Sequence, residues 1–333
     1  MSDFVEGQTG HPEIYEERAV KPKVPRDDLA EKRRSNIGPY KLERRITGGK
    51  AECWVCTDTR DGETRFLKKF PSPKMPSEKE RAFDRVFYES QVAKCNTFLL
   101  HHQSIASDLK NEMTGNGSLV QGIDAFWHDS SFFKIYPFIS DLAPLDAKTT
   151  KSWNAKQRVL TIRSVLLALR ELHINGIVHA DIKRENIHLI ESPTGALARL
   201  IDFDDSYRTL DPPPPTVLGG TEDYYSPEVL VYKGFASSRL PLELGTHSDL
   251  FSLSLVLHET FSPIGSGPRW SSTSLPAPGL HVLAGHTVSF ESLGTGKPLL
   301  EYRLRQCLQL LPAERPNITE LLSACGTNLG RVV

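Results

Sequence analysis

The sequence predicts an α+β fold with two lobes, an antiparallel sheet that carries one helix followed by a mainly helical part. Residues 40–70 have the alternation of β-strands, and two more strand candidates lie at 122–128 and 132–139. Between them, residues 77–99 have helical periodicity, and from residue 154 onwards apolar residues recur at helical spacing. A chain of 333 residues suits one large two-lobed domain or two ordinary domains.

The helix predicted in the first part has a clear start. Ser77 and Glu80 have the spacing of a capping box, and Phe83, Val86 and Phe87 fall on one helical face. This pattern predicts a single amphipathic helix beside the sheet.

The second part contains four helical segments. Residues 154–176 repeat apolar residues at helical spacing and end at Asn-Gly, a common helix stop. Residues 247–261 are apolar nearly all round, as in a helix buried in a large core. Two final helices are predicted at 298–311 and 317–326, and the stretch rich in Gly, Ser and Pro at 262–297 is predicted to be an irregular insertion.

The expected boundaries follow from these patterns. Residues 1–38, rich in charge and proline without an apolar period, are predicted to be a disordered tail. The folded domain should cover residues 39–325, with a first lobe at about 39–140 and a second at about 141–325, followed by a short tail at 326–333.

Composition excludes several classes of function. The chain has 40 basic and 41 acidic residues, a net charge of −1, which indicates neither a nucleic-acid partner nor a membrane surface. No apolar run approaches the roughly 18–20 residues that span a bilayer. The first residues carry acids where a signal peptide would be basic and apolar, so a cytoplasmic location is expected. Nothing in the sequence indicates an oligomeric state.

The five cysteines do not suggest a disulfide framework, because their number is odd and they are widely scattered. Cys53 and Cys56 have CxxC spacing, but no second pair follows to complete a zinc site. Two unconnected buried residues are the expected outcome.

The stretch GIVHADIKRENI at 176–187 carries the strongest chemical signal. Asp181, Lys183 and Asn186 supply a carboxylate, an ammonium group and a carboxamide within six residues. These groups can move a phosphoryl group if a second metal-binding carboxylate lies nearby, and Asp202 follows an apolar run downstream. An ordinary solvated loop would have this spacing by chance and would leave Asp202 unexplained.

Five motifs in order make residues 40–325 resemble eukaryotic-type serine/threonine protein kinases. The catalytic-loop pattern HxDxKxxN stands at 179–186, and a DFG-type turn reads DFD at 202–204. The substrate-loop pattern GTxxYxxPE stands at 220–228, and Asp249 and Arg315 follow in HSDLFSL and PAERP. The resemblance implies a two-lobed protein kinase-like fold, ATP and Mg²⁺ as cofactors, and a protein substrate.

The resemblance also implies a role for each catalytic residue. Asp181 would accept or orient the proton of the substrate hydroxyl, and Lys183 would neutralise the transferred phosphoryl group. Asn186 and Asp202 would hold the magnesium ions through hard oxygen ligands. His179 could pass for a general base, but its implied role is structural packing beneath a phenylalanine.

Lys68 is the lysine expected to contact the nucleotide phosphates, because RFLKKF resembles the VALKKI strand of the family. Lys69 is the alternative. The family places a partner carboxylate on the next helix, and Glu89, 21 residues beyond Lys68, is the first choice. Glu80 is the second.

The adenine end of the site is less complete. Of the family's Gly-rich loop only Gly48 aligns cleanly, while Gly49 adds flexibility and Cys53 takes the valine position above the adenine. The segment FFKIYPFIS resembles the strand that leads into the adenine-binding hinge. In that alignment adenine would donate to the carbonyl of Pro137 and accept from the amide of Ile139.

The hinge alignment makes Tyr136 the gatekeeper residue.

Three positions depart from the family pattern. Ala180 replaces an arginine that would clamp a phosphorylated activation segment. Asp204 replaces the DFG glycine, and Phe66 replaces a small residue beside the adenine. The segment 202–228 is short and contains four consecutive prolines, which favour a stiff polyproline II stretch.

These observations predict a serine/threonine kinase without control by activation-loop phosphorylation. A pseudokinase that binds a nucleotide or acts as a scaffold is the alternative, because Phe66 and the poor Gly-rich loop weaken the nucleotide site. A small-molecule phosphotransferase of the related aminoglycoside type is disfavoured. That family has no lysine at the position of Lys183 and no GTxxYxxPE segment. Within the second lobe, Glu228 and Arg315 are expected to form a buried ion pair.

Overall fold

The structure, a computed structural model, describes residues 36–46, 51–111, 117–140, 142–192, 195–239, 242–262 and 267–326. Both predicted tails fall largely outside the described residues, and so do Gly48 and Gly49. The other functional residues discussed below belong to the described part.

The first lobe is built on an antiparallel sheet of six strands, in the order β1-β2-β3-β4-β6-β5. The strands are β1 (Asn36–Ile37), β2 (Tyr40–Ile46), β3 (Glu52–Asp58), β4 (Thr64–Lys69), β5 (Asp124–His128) and β6 (Ser131–Pro137). One face buries Tyr40, Cys56, Leu67, Phe133 and Ile135 in a small core. Strand β1 lies in a stretch that the sequence had assigned to the tail, which corrects that boundary.

The sequence predicted a single helix in this lobe, but the structure has two, α1 (Glu78–Phe83) and α2 (Arg85–Asn111). The capping box of Ser77 and Glu80 forms as expected, but the chain is extended at Asp84 and the helix restarts there. This break leaves Phe83 95% exposed and Val86 78% exposed, so the predicted apolar face does not meet the sheet.

Helix α2 packs through its middle and second half instead. Cys95, Ile105 and Leu109 are buried, and the last two join the core of the second lobe. The helix is therefore anchored near its carboxyl end, whereas its first turns project into solvent.

The second lobe is mainly helical, with short strands around the catalytic loop. Its helices are α3 (Ala147–Thr150), α4 (Ala155–His173), α5 (Pro227–Tyr232), α6 (His247–Phe261), α7 (Pro278–Leu283), α8 (Pro298–Gln306) and α9 (Ile318–Ala324). Its strands are β7 (Ala143–Pro144), β8 (Ile177–Val178), β9 (Ile187–Ser192), β10 (Gly195–Leu200), β11 (Tyr207–Arg208), β12 (Arg269–Trp270) and β13 (Val288–Ser289). Apolar residues of α4 and α6 form the centre of this lobe, as their sequence patterns predict.

The predicted insertion at 262–297 has more order than expected. Strands β12 and β13 pair, helix α7 lies between them, and Trp270 stacks on His281 with ring centroids 5.2 Å apart. Glycine and proline mark the turns of this segment and do not indicate an absence of structure.

The architecture confirms the predicted two-lobed α+β fold, with an antiparallel sheet lobe and a helical lobe. All five cysteines are free thiols. Within the described ranges, no helix has the length and apolar character needed to cross a membrane.

Candidate active site

Asp249 on α6 fixes the backbone of the loop that follows β8. The Asp249 carboxylate accepts hydrogen bonds from the backbone amides of His179 at 2.8 Å and Ala180 at 2.9 Å. The ring of His173 contacts the same carboxylate at 3.0 Å. To present both amides to one carboxylate, Ala180 adopts φ of +65°, a conformation that side chains other than glycine rarely take and that recurs at functional sites.

The buried carboxylate of Asp181 is the centre of a hydrogen-bond network. Thr221 Oγ1 donates to Asp181 Oδ1 at 2.7 Å, and Lys183 Nζ donates to Oδ2 at 2.5 Å. Lys183 Nζ also donates to Thr221 Oγ1 at 3.0 Å. Asn186 Nδ2 donates to Oδ2 and to the backbone oxygen of Asp181 at 2.9 and 2.8 Å. The network fixes Asp181 in one orientation before any substrate arrives.

His179 is fully buried and packs under the DFG-type turn. Its ring centroid lies 5.2 Å from that of Phe203, and its Nε2 is 3.1 Å from the backbone oxygen of Ile201. The contact with Phe203 is the packing that the resemblance implies, and the other ring nitrogen, Nδ1, accepts a hydrogen bond from the backbone amide of Asp181 at 3.3 Å. Both ring nitrogens are thus engaged with backbone atoms, which fits a structural role.

Asn186 and Asp202 are brought together by the strand pair that follows the catalytic loop. The backbone amide of Ile201 donates to the backbone oxygen of Asn186 at 3.1 Å, and Asp202 follows with φ of +65°. Because the amide nitrogen of Asn186 already donates to Asp181, the amide oxygen is the atom it can offer to a cation.

This donor set fits magnesium bound together with phosphates. A carboxylate and an amide oxygen are hard ligands, and Mg²⁺ usually takes few protein ligands and completes its shell with phosphate and water. Across the described ranges, no group of three or more His, Cys, Asp and Glu is placed to hold a metal ion by itself. Asn186 and Asp202 would therefore hold the ion only with oxygens from a nucleotide.

Lys68 lies in the cleft between the lobes and bonds to two carboxylates of the DFG-type turn. Its Nζ is 2.7 and 2.8 Å from the two oxygens of Asp202 and 2.6 Å from Oδ2 of Asp204. The expected partner Glu89 instead bonds to Arg85 at 2.8 Å, with its side chain 60% exposed. This corrects the predicted Lys68–Glu89 pair: Glu89 lies near the start of α2, where the helix projects into solvent.

The second candidate, Glu80, also lies away from Lys68. Its carboxylate accepts hydrogen bonds from the backbone and hydroxyl of Ser77, which completes the capping box of α1. Lys69, the alternative lysine, bonds at 3.0 Å to Glu52 on the neighbouring strand. Of the two lysines, Lys68 is the one that the sheet turns towards Asp202.

A second lysine, from β6, joins the cluster formed by Lys68, Asp202 and Asp204. Lys134 Nζ donates to Asp204 Oδ1 at 2.7 Å, and the hydroxyl of Tyr136 donates to the same oxygen at 3.3 Å. Burial alone would raise the pKa of Asp204, but Lys134 and Lys68 outweigh it and hold that pKa well below its usual range. Asp204 is therefore charged inside the cluster, although the sequence indicated only the loss of a glycine.

Residues expected at the hinge and the roof of the site lie on the neighbouring strands β3, β4 and β6. Cys53 lies opposite Lys68, and Phe66 lies opposite Tyr136 at the end of the sheet. The rings of Phe66 and Tyr136 meet edge to face with centroids 6.0 Å apart. Pro137 ends β6, and Ile139 follows it in the link to the second lobe.

The segment after the DFG-type turn is tied down by hydrogen bonds between unmodified residues. Asp205 accepts from the backbone amide of Gly220 at 3.0 Å, and the hydroxyl of Tyr225 donates to the oxygen of Gly219 at 2.9 Å. Gly220 has φ of +101°, and a Cβ there would lie 2.5 Å from the backbone oxygen of Ala180. Only glycine fits this close approach, which seats Thr221 against Asp181.

Residues 40–324 match the protein kinase domain family. The match covers most of the chain and both lobes, and the chain therefore belongs to the protein kinase family.

Several curated protein kinases are similar to parts of the chain. Smooth muscle myosin light chain kinase of Gallus gallus is 24% identical over 222 residues, 66% of this chain and 10% of that protein. Myosin light chain kinase 3 of Mus musculus is 31% identical over 162 residues, 46% of this chain and 20% of that protein. The serine/threonine-protein kinase STE20 of Eremothecium gossypii is 27% identical over 209 residues, 62% of this chain and 20% of that protein. The chain thus spans a fifth or less of the length of these relatives.

Proposed function

We propose that the protein is a serine/threonine protein kinase that transfers the γ-phosphoryl group of ATP to a protein hydroxyl. The observation that carries the proposal is the network in which Asp181 is bound by Lys183, Thr221 and Asn186. Transfer of a phosphoryl group needs positioned charges more than covalent chemistry, and this network supplies them.

Each residue of the network has a distinct task in this proposal. Asp181 orients the acceptor hydroxyl and takes its proton, and Lys183 offsets negative charge on the transferred group. Lys68 binds phosphate oxygens, while Asn186 and Asp202 hold Mg²⁺. When bound, Mg²⁺ neutralises charge on the phosphates. Pro137 and Ile139 would anchor the adenine through backbone atoms, and Cys53, Gly48 and Gly49 would cover it.

Thr221 supports serine or threonine as the acceptor. Its hydroxyl bridges Asp181 and Lys183, so it borders the position where an acceptor hydroxyl would enter. STE20 of Eremothecium gossypii, one of the similar proteins, is a serine/threonine-protein kinase, which supports the same choice.

We also propose that activation-loop phosphorylation does not control the enzyme. Ala180 cannot clamp a phosphate, and the Asp205–Gly220 and Tyr225–Gly219 hydrogen bonds already order the segment. These contacts are formed by unmodified side chains, which removes the need for a phosphate to create them.

A pseudokinase is the second candidate, and one observation favours it. Phe66 and Tyr136 pack edge to face where the family has a small residue beside the adenine. If these rings exclude the nucleotide, the wild type will not bind ATP, and Phe66→Ala will restore binding.

Incubation of the protein with radiolabelled ATP, Mg²⁺ and a generic protein substrate separates the candidates. Label on serine and threonine of the substrate supports the proposed kinase. Absence of label transfer supports the pseudokinase, and label on an added small alcohol or aminoglycoside would contradict both.

A further inference from the structure

We propose that Asp204, held by Lys134, positions Lys68 for the nucleotide phosphates, in place of a carboxylate from helix α2. The inference rests on the proposed phosphoryl transfer and concerns the same site. It assigns a positioning role to two residues, one at the glycine position of the DFG-type turn and one in the middle of β6.

The geometry of the Asp204 carboxylate is the first support. Its two oxygens are divided between two lysines: Oδ2 accepts from Lys68 at 2.6 Å and Oδ1 from Lys134 at 2.7 Å. The three side chains are largely buried, with 12% of Asp204, 17% of Lys68 and 8% of Lys134 exposed. A buried carboxylate bound on both sides has one available orientation, and it fixes the direction of the Lys68 ammonium group.

Helix α2 supplies no acid at this level. The helix residue that approaches the cluster is His102, whose Nδ1 lies 4.0 Å from Asp204 Oδ1. Burial and the nearby Lys134 lower the pKa of His102 to about 3, so its ring is neutral and cannot replace a carboxylate. Glu89 is more than three turns earlier on the helix and bonds to Arg85 in solvent.

Asp202 also contacts Lys68, but it has a competing task. It is the proposed ligand of the magnesium ion, which would draw its oxygens away from the lysine. Asp204 has no such role, so its bond to Lys68 is the one that can persist when the site is loaded.

Lys134 allows Asp204 to be buried beside Asp202. Two buried carboxylates with only Lys68 between them would leave one negative charge uncompensated, which is costly in a low-dielectric interior. Lys134 lies between the buried residues Phe133 and Ile135, an unusual place for a lysine, and supplies a second cation beside the two carboxylates.

Lys68 is then positioned by Asp204 of the DFG-type turn and by Lys134 of the sheet. A shift of helix α2 would then not remove the partner of Lys68. This differs from an arrangement in which a helix carboxylate must swing in to complete the site.

The experiment compares four variants of the full chain by steady-state kinetics with ATP and by titration with a fluorescent ATP analogue. Asp204→Asn keeps the shape and removes the charge. We expect a fall of about 10²-fold in kcat/KM for ATP, because a small misplacement of a positioned group has an effect of that size. Glu89→Gln is the matched control for loss of a carboxylate, and it should leave kcat/KM unchanged.

A rescue variant separates positioning from structural support. Asp204→Gly should be impaired, and adding His102→Glu should recover much of the lost activity, because position 102 lies beside the cluster and borders a cavity of about 300 Å³. Melting temperatures are recorded for all variants. If Asp204→Asn fails to fold, Asp204→Asn with Lys134→Met removes one charge of each sign and takes its place.

The outcomes are distinct. Normal kinetics in Asp204→Asn, an equal loss in Glu89→Gln, or no rescue by His102→Glu in a folded protein would each overturn the positioning role. A wild type that transfers no phosphate would refute the proposed function instead. In that case the nucleotide titration decides the inference, which predicts weaker ATP binding in Asp204→Asn and recovery in the rescue variant.

Discussion

Arg315 donates two parallel hydrogen bonds to Glu228, which lies 87 residues earlier in the chain. The Nη1–Oε1 distance is 2.6 Å, the Nη2–Oε2 distance is 2.7 Å, and both side chains are completely excluded from solvent. Ser248 donates a third hydrogen bond to Glu228 at 2.8 Å. The pair predicted from the sequence is thus confirmed, and it ties the end of the activation segment to the base of the helical lobe.

Arg315→Ala should strongly destabilise the protein. Removing one partner of a buried ion pair leaves the other charge without compensation, which costs about 3–5 kcal/mol. The free energy of unfolding from urea denaturation, followed by circular dichroism, measures this loss directly.

Arg269→Ala is the matched control for that measurement. Arg269 forms an ion pair with Glu291, but its side chain is 54% exposed, and surface substitutions of this kind change stability within about 0.5 kcal/mol. Equal stability of the two variants would mean that the buried pair contributes nothing.

The same pair predicts a defined pH dependence of stability. Burial would raise the pKa of Glu228, but the hydrogen bonds and charge of Arg315 outweigh it and lower that pKa below the ordinary value. A group whose pKa is depressed by folding stabilises the protein above its unfolded pKa, about 4.3 for Glu, and loses this contribution as pH falls through the folded pKa. The stability difference between wild type and Glu228→Gln should be constant from about pH 8 to pH 5 and should shrink below about pH 4. A difference that shrinks already between pH 7 and pH 5 would contradict the assignment.

Local motifs made much of the site predictable from the sequence. Asp181, Lys183 and Asn186 lie within six residues, so the loop after β8 brings them together without help from distant packing. The fold class was predictable for a similar reason, since strand alternation and helical periodicity are local properties.

The partner of Lys68 was not predictable in this way. Several acids lie within reach along the chain, and the choice among them depends on where helix α2 begins and which part of it packs. The break at Asp84 and the exposed first turns place Glu89 in solvent, and neither follows from periodicity alone. A signal was present in Lys134, a lysine between two apolar residues in a strand, which indicates a buried acid nearby.

Thr221 should be important for catalysis through its hydroxyl alone. Thr221→Val keeps the shape but removes the hydrogen bonds to Asp181 and Lys183, and we expect a clear fall in kcat. Thr221→Ser retains the hydroxyl and should keep most of the activity. Equal turnover in Thr221→Val and wild type would exclude this role.

The nature of the acceptor is tested separately, on the wild type. Phosphoamino-acid analysis of the labelled substrate should show phosphoserine and phosphothreonine. A product that is mainly phosphotyrosine would refute the proposed acceptor class.

In the proposed function, Asp202 and the Asp181 network perform magnesium-dependent phosphoryl transfer from ATP. Its most direct test is the rate of label transfer from radiolabelled ATP to a protein substrate, for wild type and Asp202→Asn at matched circular dichroism. We expect Mg²⁺-dependent transfer by the wild type and its loss in Asp202→Asn, because a charged metal ligand is replaced by a neutral one of the same shape. Equal transfer by the two proteins, or none by a wild type that binds ATP, would contradict it.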